Sequence, residues 1–447
     1  MAAIVTNKFR ISNAEDFHGS FATDKYYLFI GKSVPWTDDT SPDTPYDTIN
    51  DENEVYRDMI AAKIISSADV SFVIPRRNWT TATIYDQYHH DIRTGNTSTS
   101  GATSLWDATF YVMNSNYDVY LCVSNNAGAA STTEPTGTST SIVTTADSYK
   151  WKYLYTLTTS DVSKFLSIDF MPVIENSTVA AAAVGGSIEH INITSAGSGY
   201  TNGTYTAQVI HGDATTGRAT IVVAGAVISS VTVTTVGSGY TFGSLVLTAL
   251  EDAGETTVAA VLDPVITPSY GHGANNKKEL GAFYVMMNAL LSGADGSGDF
   301  VVSQDFRQVG VVKAPLSSGS AATATTLSAL KKLTSTGHAT NFVVDELITG
   351  GTSGALGKVV DFNATTRVLK YIQQSVSGQG LATDGDIDAF VNAETVTGST
   401  STAAGTSSVV TAAEIDLYSG DILYIENRLP IPRTTDQQEN IKLIVEF

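Results

Sequence analysis

Short apolar runs alternate with turns rich in glycine, serine and threonine along most of the 447-residue chain. The runs "KYYLFIGK" (25–32), "YDVYLCVSN" (117–125) and "YKWKYLYTLT" (149–158) consist largely of aromatic and aliphatic residues, many of which are enriched in strands. Glycine-containing segments between such runs are typical of turns. The pattern predicts a mainly β chain.

Helical periodicity is confined to short segments. The stretch "SNAEDF" (12–17) has the capping-box spacing, Ser12 to Glu15, and predicts a short helix that opens there. The stretch "DENEVYRDMIAAKII" (51–65) has acidic residues in its first turn and apolar residues at helical spacing. Together with the capped segment "SDVSKFL" (160–166), these patterns predict a few short helices.

The chain alternates between two compositions, and one of them contains a repeat. "INITSAGSGYTNGTY" (191–205) recurs as "VTVTTVGSGYTFGSL" (231–245). Since one copy cannot bury its apolar face alone, we expect both copies in one small β domain. Aromatic- and charge-rich segments predict a core, and glycine-rich segments predict two inserted all-β domains. The predicted order is core 1–175, inserted β-repeat domain 176–266, core 267–320, second inserted β domain 321–411 and C-terminal core strands 412–447.

Composition and charge exclude several classes of site and partner. The chain has 45 acidic and 25 basic residues and a formal charge of −20, which argues against nucleic-acid binding. Cys122 is the only cysteine, so we expect neither a disulfide framework nor a thiolate metal cluster. The N-terminus lacks a signal-peptide pattern and no apolar run is long enough to span a membrane. We therefore expect folding in a reducing cytoplasm and no membrane contact.

Three stretches resemble chemical sites but depart from the required patterns. The twin "GSGYT" turns lack the spacing and the following helix of a phosphate loop. In "YHHDIR" (88–93), strand geometry is expected to point His89 and His90 to opposite faces, away from a shared metal. "DGDID" (384–388) lacks the glycine and the final glutamate of a calcium loop. We therefore expect no enzyme activity, cofactor or metal, and assign no catalytic residue.

The stretch "IPRRNW" (74–79) stands out in so acidic a chain. Arginine and tryptophan are enriched where interfaces concentrate their binding energy. Arg76, Arg77 and Trp79 are therefore candidate interface residues, and we expect the arginines to contact carboxylates of this chain or of a neighbour. The alternative is structural, with Arg77 paired to a core carboxylate and Trp79 filling the edge of the core.

Several stretches resemble, in order, those of the baseplate wedge protein of T4-like contractile-tailed bacteriophages, the gene-product-eight family. They are "AIVTNKFR" (3–10), "GKSVPW" (31–36), "VIPRRNW" (73–79), "YKWKYLY" (149–155), "DFRQVGVVKAPL" (305–316), "GDILYIENRLPI" (420–431) and "DQQENIKLIVEF" (436–447). The resemblance covers the three core segments, and the two insertions depart from it. Trp36 and Arg428, within these stretches, are further interface candidates.

The resemblance implies a layered β-sandwich core with helix-bearing loops, and a homodimer. It implies a structural subunit of the baseplate wedge that contacts wedge subunits of the gene-product six, seven and ten types. Such a subunit belongs to the phage tail baseplate of the virion and is assembled in the host cytoplasm. Its role is to scaffold wedge assembly and to transmit the rearrangement of the baseplate. The alternative, suggested by the inserted β repeats alone, is a receptor- or glycan-binding tail adhesin.

Overall fold

The computed structural model describes residues 3–214, 216–252, 256–292, 300–302, 304–373, 387–434 and 437–447. The prediction of a mainly β chain is confirmed, with 41% strand and 12% helix, as in a β-rich, sandwich-like fold. Within these ranges the strands form several sheets, and there are five short helices. Residues 384–386 of "DGDID" lie outside the described ranges. No helix in those ranges combines the length and the apolar character needed to cross a membrane.

The helices of the described residues are α1 (Asn7–Ser20), α2 (Ile49–Asp58), α3 (Thr159–Phe165), α4 (Ser177–Ala182) and α5 (Asn276–Leu280). The strands are β1 (Tyr26–Gly31), β2 (Met59–Ile65), β3 (Val70–Pro75), β4 (Tyr111–Met113), β5 (Asp118–Ser124), β6 (Val143–Thr144), β7 (Lys150–Thr156), β8 (Phe170–Pro172), β9 (Ile188–Ser195), β10 (Gly203–Gly212), β11 (Arg218–Ala224), β12 (Val227–Thr235), β13 (Gly243–Leu245), β14 (Val261–Ile266), β15 (Tyr284–Leu291), β16 (Asp305–Lys313), β17 (Leu316–Ser317), β18 (Ser320–Ala321), β19 (Thr326–Ser328), β20 (Lys331–Thr336), β21 (Leu347–Gly350), β22 (Leu356–Asn363), β23 (Val368–Ile372), β24 (Thr395–Gly398), β25 (Ala404–Thr411), β26 (Asp421–Pro432) and β27 (Glu439–Glu446).

Contacts within the chain divide it into two compact units. The segment expected as the first insertion lies in unit 1, and the segment expected as the second lies in unit 2. Unit 1 contains the described residues of 1–16, 71–286 and 444–447, and unit 2 contains those of 17–70 and 287–443.

A five-stranded antiparallel sheet, in the order β19-β2-β1-β16-β26, organises unit 2. Strand β1 pairs with β2 on one side and with β16 on the other, and its residues are buried at every position, so both faces of the sheet are covered there. Phe29 of β1, Val55 of α2 and Val312 of β16 belong to one apolar cluster. The twelve-residue strand β26 is left at the edge of the sheet.

Strands β20 to β25 of unit 2 close into a barrel around a second apolar cluster. Two buried glutamates each accept hydrogen bonds from a turn of the barrel, and each glutamate lies a few residues before the turn that the other one holds. Glu346 accepts hydrogen bonds from the backbone N–H groups of Thr400 and Ser401, and Glu394 accepts them from those of Thr352 and Ser353. This symmetry reflects a second internal repeat, "ELITGGTSGA" (346–355) and "ETVTGSTSTA" (394–403), which our sequence analysis did not identify.

Unit 1 contains an aromatic sheet and the first glycine-rich repeat. The sheet has the order β4-β5-β7-β6, and Tyr120, Tyr149 and Trp151 form part of its core. With β3 and β8, the unit 1 residues of β15 and β27 belong to a sheet of order β27-β15-β3-β8. Strands β9 to β14 form sheets of orders β12-β11-β10-β13 and β14-β9 over a separate core.

Both copies of the "GSGYT" repeat adopt the same turn. Gly197 and Gly237 each have φ of +63°, a conformation that only glycine adopts without cost. The following tyrosines, Tyr200 and Tyr240, are each 2% exposed. Tyr200 accepts a hydrogen bond from the N–H of Ala260, so the turn places a buried ring whose hydroxyl is satisfied by the backbone. The geometry is that of a structural repeat.

Three local expectations need correction. Helix α1 begins at Asn7, because Thr6 accepts a hydrogen bond from the N–H of Phe9 and caps the helix; Ser12 therefore lies in its interior. The predicted helix 51–65 ends at Asp58, and its apolar second half is strand β2, which pairs with β1. The first predicted all-β insertion contains α4, which Asn176 caps.

Gly310 of β16 provides a test of packing in the unit 2 sheet. An added Cβ would lie 2.2 Å from Phe29 Cζ and 2.4 Å from the carbonyl oxygen of Tyr424. We expect Gly310→Ala to lower the free energy of unfolding by about 1–3 kcal/mol, measured by chemical denaturation. Gly19→Ala, at a helical position with no heavy atom within 4 Å of the added Cβ, is the control and should be neutral or slightly stabilising. Equal stabilities of the two variants would contradict this packing.

Candidate protein-interaction site

The guanidinium groups of Arg76 and Arg77 contact backbone carbonyls of their own unit. Arg76 Nη1 donates to the carbonyl oxygen of Ser167 at 2.7 Å, and Arg77 Nη1 donates to that of Ala108. The Arg77 guanidinium also lies 4.5 Å from the ring centroid of Tyr111, in a cation–π contact. Within the described residues these arginines meet carbonyl oxygens rather than the expected carboxylates, because the carbonyls of Ser167 and Ala108, which precede β8 and β4, need donors.

Trp79 is held by a chain of hydrogen bonds. Its Nε1 donates to Ser131 Oγ at 3.1 Å, and Ser131 Oγ donates to Asp147 Oδ2 at 2.9 Å. Burial alone would raise the pKa of Asp147, but hydrogen bonds from Thr145 and neighbouring groups lower it to about 2. The half-buried indole packs against the aromatic core of unit 1. The geometry gives Arg77 and Trp79 structural contacts, and their role at an interface stays a prediction.

The other two candidates, Trp36 and Arg428, meet in unit 2. Trp36 Nε1 donates to the carbonyl oxygen of Arg428 at 3.0 Å. Asn427 Nδ2 donates in the same way to the carbonyl oxygen of Asp43 at 2.8 Å. Arg428 Nη2 donates to Glu426 Oε2 at 3.0 Å. The loop 32–47 therefore contacts the edge strand β26 near its middle.

A residue that our sequence analysis missed, Arg307, holds this loop. It is 4% exposed, and its guanidinium donates to both carboxylate oxygens of Asp39 at 2.9 Å and to the carbonyl oxygen of Ser33 at 2.8 Å. The hydrogen bond from Arg307 keeps the pKa of Asp39 below its ordinary value. Such two-pronged pairs fix geometry as well as charge. The sequence contained one signal for this role, which is an arginine inside the largely apolar stretch that forms β16.

A pocket of about 220 Å³ opens beneath this loop, and we call it the acidic pocket. It lies between the loop, helix α2 and strands β16 and β26, and most of its polar lining groups are acidic or amide side chains. Its lining residues are Lys32, Trp36, Asp43, Thr44, Pro45, Tyr46, Asp51, Glu54, Val55, Asp58, Gln308, Ile425 and Asn427.

Charge in the acidic pocket is only partly balanced. Lys32 Nζ donates to Asp58 Oδ2 at 3.0 Å and lies 5.2 Å from the ring centroid of Trp36. Burial raises the pKa of Asp58, an effect that the charge of Lys32 opposes. The carboxylates of Asp43 and Glu54 add negative charge without a further lysine or arginine among the lining residues.

Next to the acidic pocket lies a shallow groove whose side chains are mostly aliphatic or aromatic, and we call it the apolar groove. It is bordered by Pro45, Tyr46, Asp47 and residues 422–425. Tyr46 is 65% exposed and Leu423 is 49% exposed. Among the described residues, β16 is the one strand partner of β26. An open strand edge beside exposed apolar side chains is typical of a surface that another chain covers.

The adjacent histidines of unit 1 do not point to opposite faces. Residues 84–89 form no strand, and the rings of His89 and His90 stack with centroids 4.6 Å apart. His89 Nε2 is 2.9 Å from Asp263 Oδ2. The expectation was wrong because it assumed strand alternation in a segment without regular structure. The described residues contain no group of three or more His, Cys, Asp or Glu side chains able to hold a metal ion.

A cleft of about 130 Å³ adjoins this histidine pair. Most of its lining side chains are hydroxyls and amides. They belong to Gln87, His89, Ile92, Asn96, Thr97, Ser98, Thr99, Asn192 and Asp263.

Comparison with known proteins assigns no family to this chain. No protein-family model matches the sequence. No curated protein matches it either. The resemblance to the baseplate wedge family therefore stays a prediction.

The Arg307 contacts predict how the loop 32–47 is held. Arg307→Met should lower the free energy of unfolding by about 1–3 kcal/mol, because the carbonyl of the buried residue Ser33 loses its hydrogen-bond donor. Chemical denaturation should show this loss of stability, and the backbone amides of residues 33–47 should exchange their hydrogens faster. The control is Arg93→Met, whose side chain is 69% exposed, and we expect a change within about 0.5 kcal/mol. Unchanged exchange in the loop would contradict this role of Arg307.

His190 predicts a pH dependence of stability in unit 1. Burial and the charge of Lys150 lower the pKa of His190 to about 4. Unfolding restores its ordinary pKa of about 6.5, so the unfolded chain binds an extra proton between these values. Wild type should therefore lose stability relative to His190→Gln as the pH falls from about 6.5 to about 4. Denaturation at both pH values measures the difference, and a constant difference would contradict the low pKa.

Proposed function

We propose that this chain is a structural subunit of the baseplate wedge of a contractile-tailed phage, which scaffolds wedge assembly and transmits baseplate rearrangement. One observation carries the proposal: the open edge of β26 lies beside exposed apolar side chains. A surface of this kind is typical of a contact with another chain.

Three stretches that resemble the wedge family support this interpretation, because they meet around the same surface. Strand β16, within "DFRQVGVVKAPL", pairs with β26, within "GDILYIENRLPI". Trp36 of "GKSVPW" hydrogen-bonds to Arg428 of the latter stretch. These three stretches thus lie next to one another in unit 2, where β16 is buried and β26 forms the edge of the sheet.

The partners that follow from the proposal are a second copy of this chain and wedge subunits of the gene-product six, seven and ten types. The location that follows is the tail baseplate of the virion. The loop 32–47 provides a physical means of transmission, because Arg307 couples it to the sheet while Trp36 couples it to the strand edge. A partner bound at the edge therefore acts on the loop and the sheet together.

A second candidate function, a receptor- or glycan-binding tail adhesin, is favoured by the cleft of unit 1. Its hydroxyl and amide side chains are the groups that hydrogen-bond to sugar hydroxyls. The cleft offers no tryptophan or tyrosine for stacking against a sugar ring among its described lining residues. The wedge proposal is therefore preferred.

The mass of the purified chain in solution tests the proposal. Light scattering should give about twice the 47.1 kDa of one chain, and mixing with wedge subunits should give a larger complex by size exclusion. A stable trimer would favour the adhesin, and a monomer that binds no wedge subunit would overturn the wedge proposal.

A substitution on the surface locates the contact. Leu423→Lys should weaken self-association or wedge-subunit binding by about tenfold, because it places a charge in the apolar groove. The control is Ile168→Lys, at an isoleucine of unit 1 that is 89% exposed, and it should leave both unchanged. Equal behaviour of the two variants would show that the groove is not the contact.

A further inference from the structure

The acidic pocket carries more negative charge than its own residues neutralise. Asp43, Asp51, Glu54 and Asp58 line it, and Lys32 is the one lysine or arginine among its lining residues. The ammonium of Lys32 is already bonded to Asp58. A surface with this excess of carboxylates is complementary to a positively charged group.

Two buried oxygen atoms in the pocket wall lack hydrogen-bond donors. Asp58 is 5% exposed and Gln308 is 6% exposed. Asp58 Oδ1 and Gln308 Oε1 accept no hydrogen bond from any described residue, although the other polar atom of each side chain is paired. Buried acceptors are nearly always paired in folded proteins. The wall of the pocket therefore has hydrogen-bond acceptors in excess of donors, which suits a ligand that brings several N–H groups.

Aromatic rings complete the lining of the pocket. Trp36 and Tyr46 both line it, and the ammonium of Lys32 already lies 5.2 Å from the Trp36 ring centroid. Aromatic faces attract cations, and a planar guanidinium can also stack on them. The volume of about 220 Å³ is smaller than the roughly 300 Å³ at which small-molecule sites begin, which suits a single side chain.

We propose that the acidic pocket receives an arginine side chain from a neighbouring protein subunit. A guanidinium offers five N–H donors in a planar fork, whereas an ammonium offers three, so an arginine suits a pocket rich in acceptors better than a lysine. The adjacent apolar groove supplies the surface on which the segment carrying this arginine lies. This inference rests on the proposed function, since a docking pocket requires a partner chain.

Titration calorimetry at low salt tests the proposal with the full chain. The probe is the peptide acetyl-Gly-Gly-Arg-Gly-Gly-amide, and the comparison peptide carries citrulline, which keeps the shape of arginine but lacks its charge. The arginine peptide should bind, and the citrulline peptide should bind about tenfold more weakly or not at all. A lysine peptide should bind more weakly than the arginine peptide. Equal binding of the citrulline or lysine peptide, or no binding of the arginine peptide, would overturn the proposal.

Two variants on the same helix locate the binding. Glu54→Gln removes a pocket carboxylate and should weaken arginine-peptide binding by about fivefold. Glu52→Gln makes the same change on α2 outside the pocket lining and should have no effect. Equal effects of both variants would show that only net charge attracts the peptide, and would overturn the proposal.

The outcomes separate this inference from the proposed function. If the wild-type protein assembles with wedge subunits but does not bind the arginine peptide, the proposal for the pocket is overturned and the proposed function is not. Wild type that binds the peptide selectively but forms neither a dimer nor a complex with wedge subunits overturns the wedge assignment alone.

Discussion

The guanidinium of Arg307 is buried in the five-stranded sheet of unit 2, and a buried charge is stable only when it is paired and its hydrogen bonds are satisfied. Its shortest hydrogen bonds go to Asp39 and to the carbonyl of Ser33, both in the loop that follows β1. Satisfying the arginine therefore fixes the loop against the sheet. This one requirement therefore sets the position of Trp36 and of the loop residues that line the acidic pocket. It also sets the contacts between the loop and β26.

The edge of the unit 2 sheet is only partly protected, in contrast to the closed barrel in the same unit. The barrel strands β20 to β25 leave no open edge. The loop 32–47 reaches β26 at Asn427 and Arg428, while Leu423 remains half exposed beside Tyr46. The chain thus closes one set of strands and leaves another open beside an acidic pocket, and this contrast is the basis of the proposed role in assembly.

The "IPRRNW" stretch shows how the same residue types can serve the fold. Arg77 covers the ring of Tyr111 and donates to loop carbonyls, while Trp79 reaches Ser131 through its indole N–H. These contacts join residues 77–79 to segments that begin about thirty and fifty residues later. The contacts of this arginine pair are thus to backbone carbonyls that need donors.

Local pattern by itself determined the strand-rich character, the turn of the first glycine repeat and the capped helix α3, because each depends on neighbours in sequence. The run 59–65 fits a helix or a strand equally well, and pairing with β1 decided it. The repeat at Glu346 and Glu394 was present in the sequence, but its reciprocal hydrogen bonds required the closed barrel. Only tertiary structure placed Arg307 against Asp39, 268 residues away, and so formed the pocket. Charge pairing between distant segments leaves no periodic signal in a sequence.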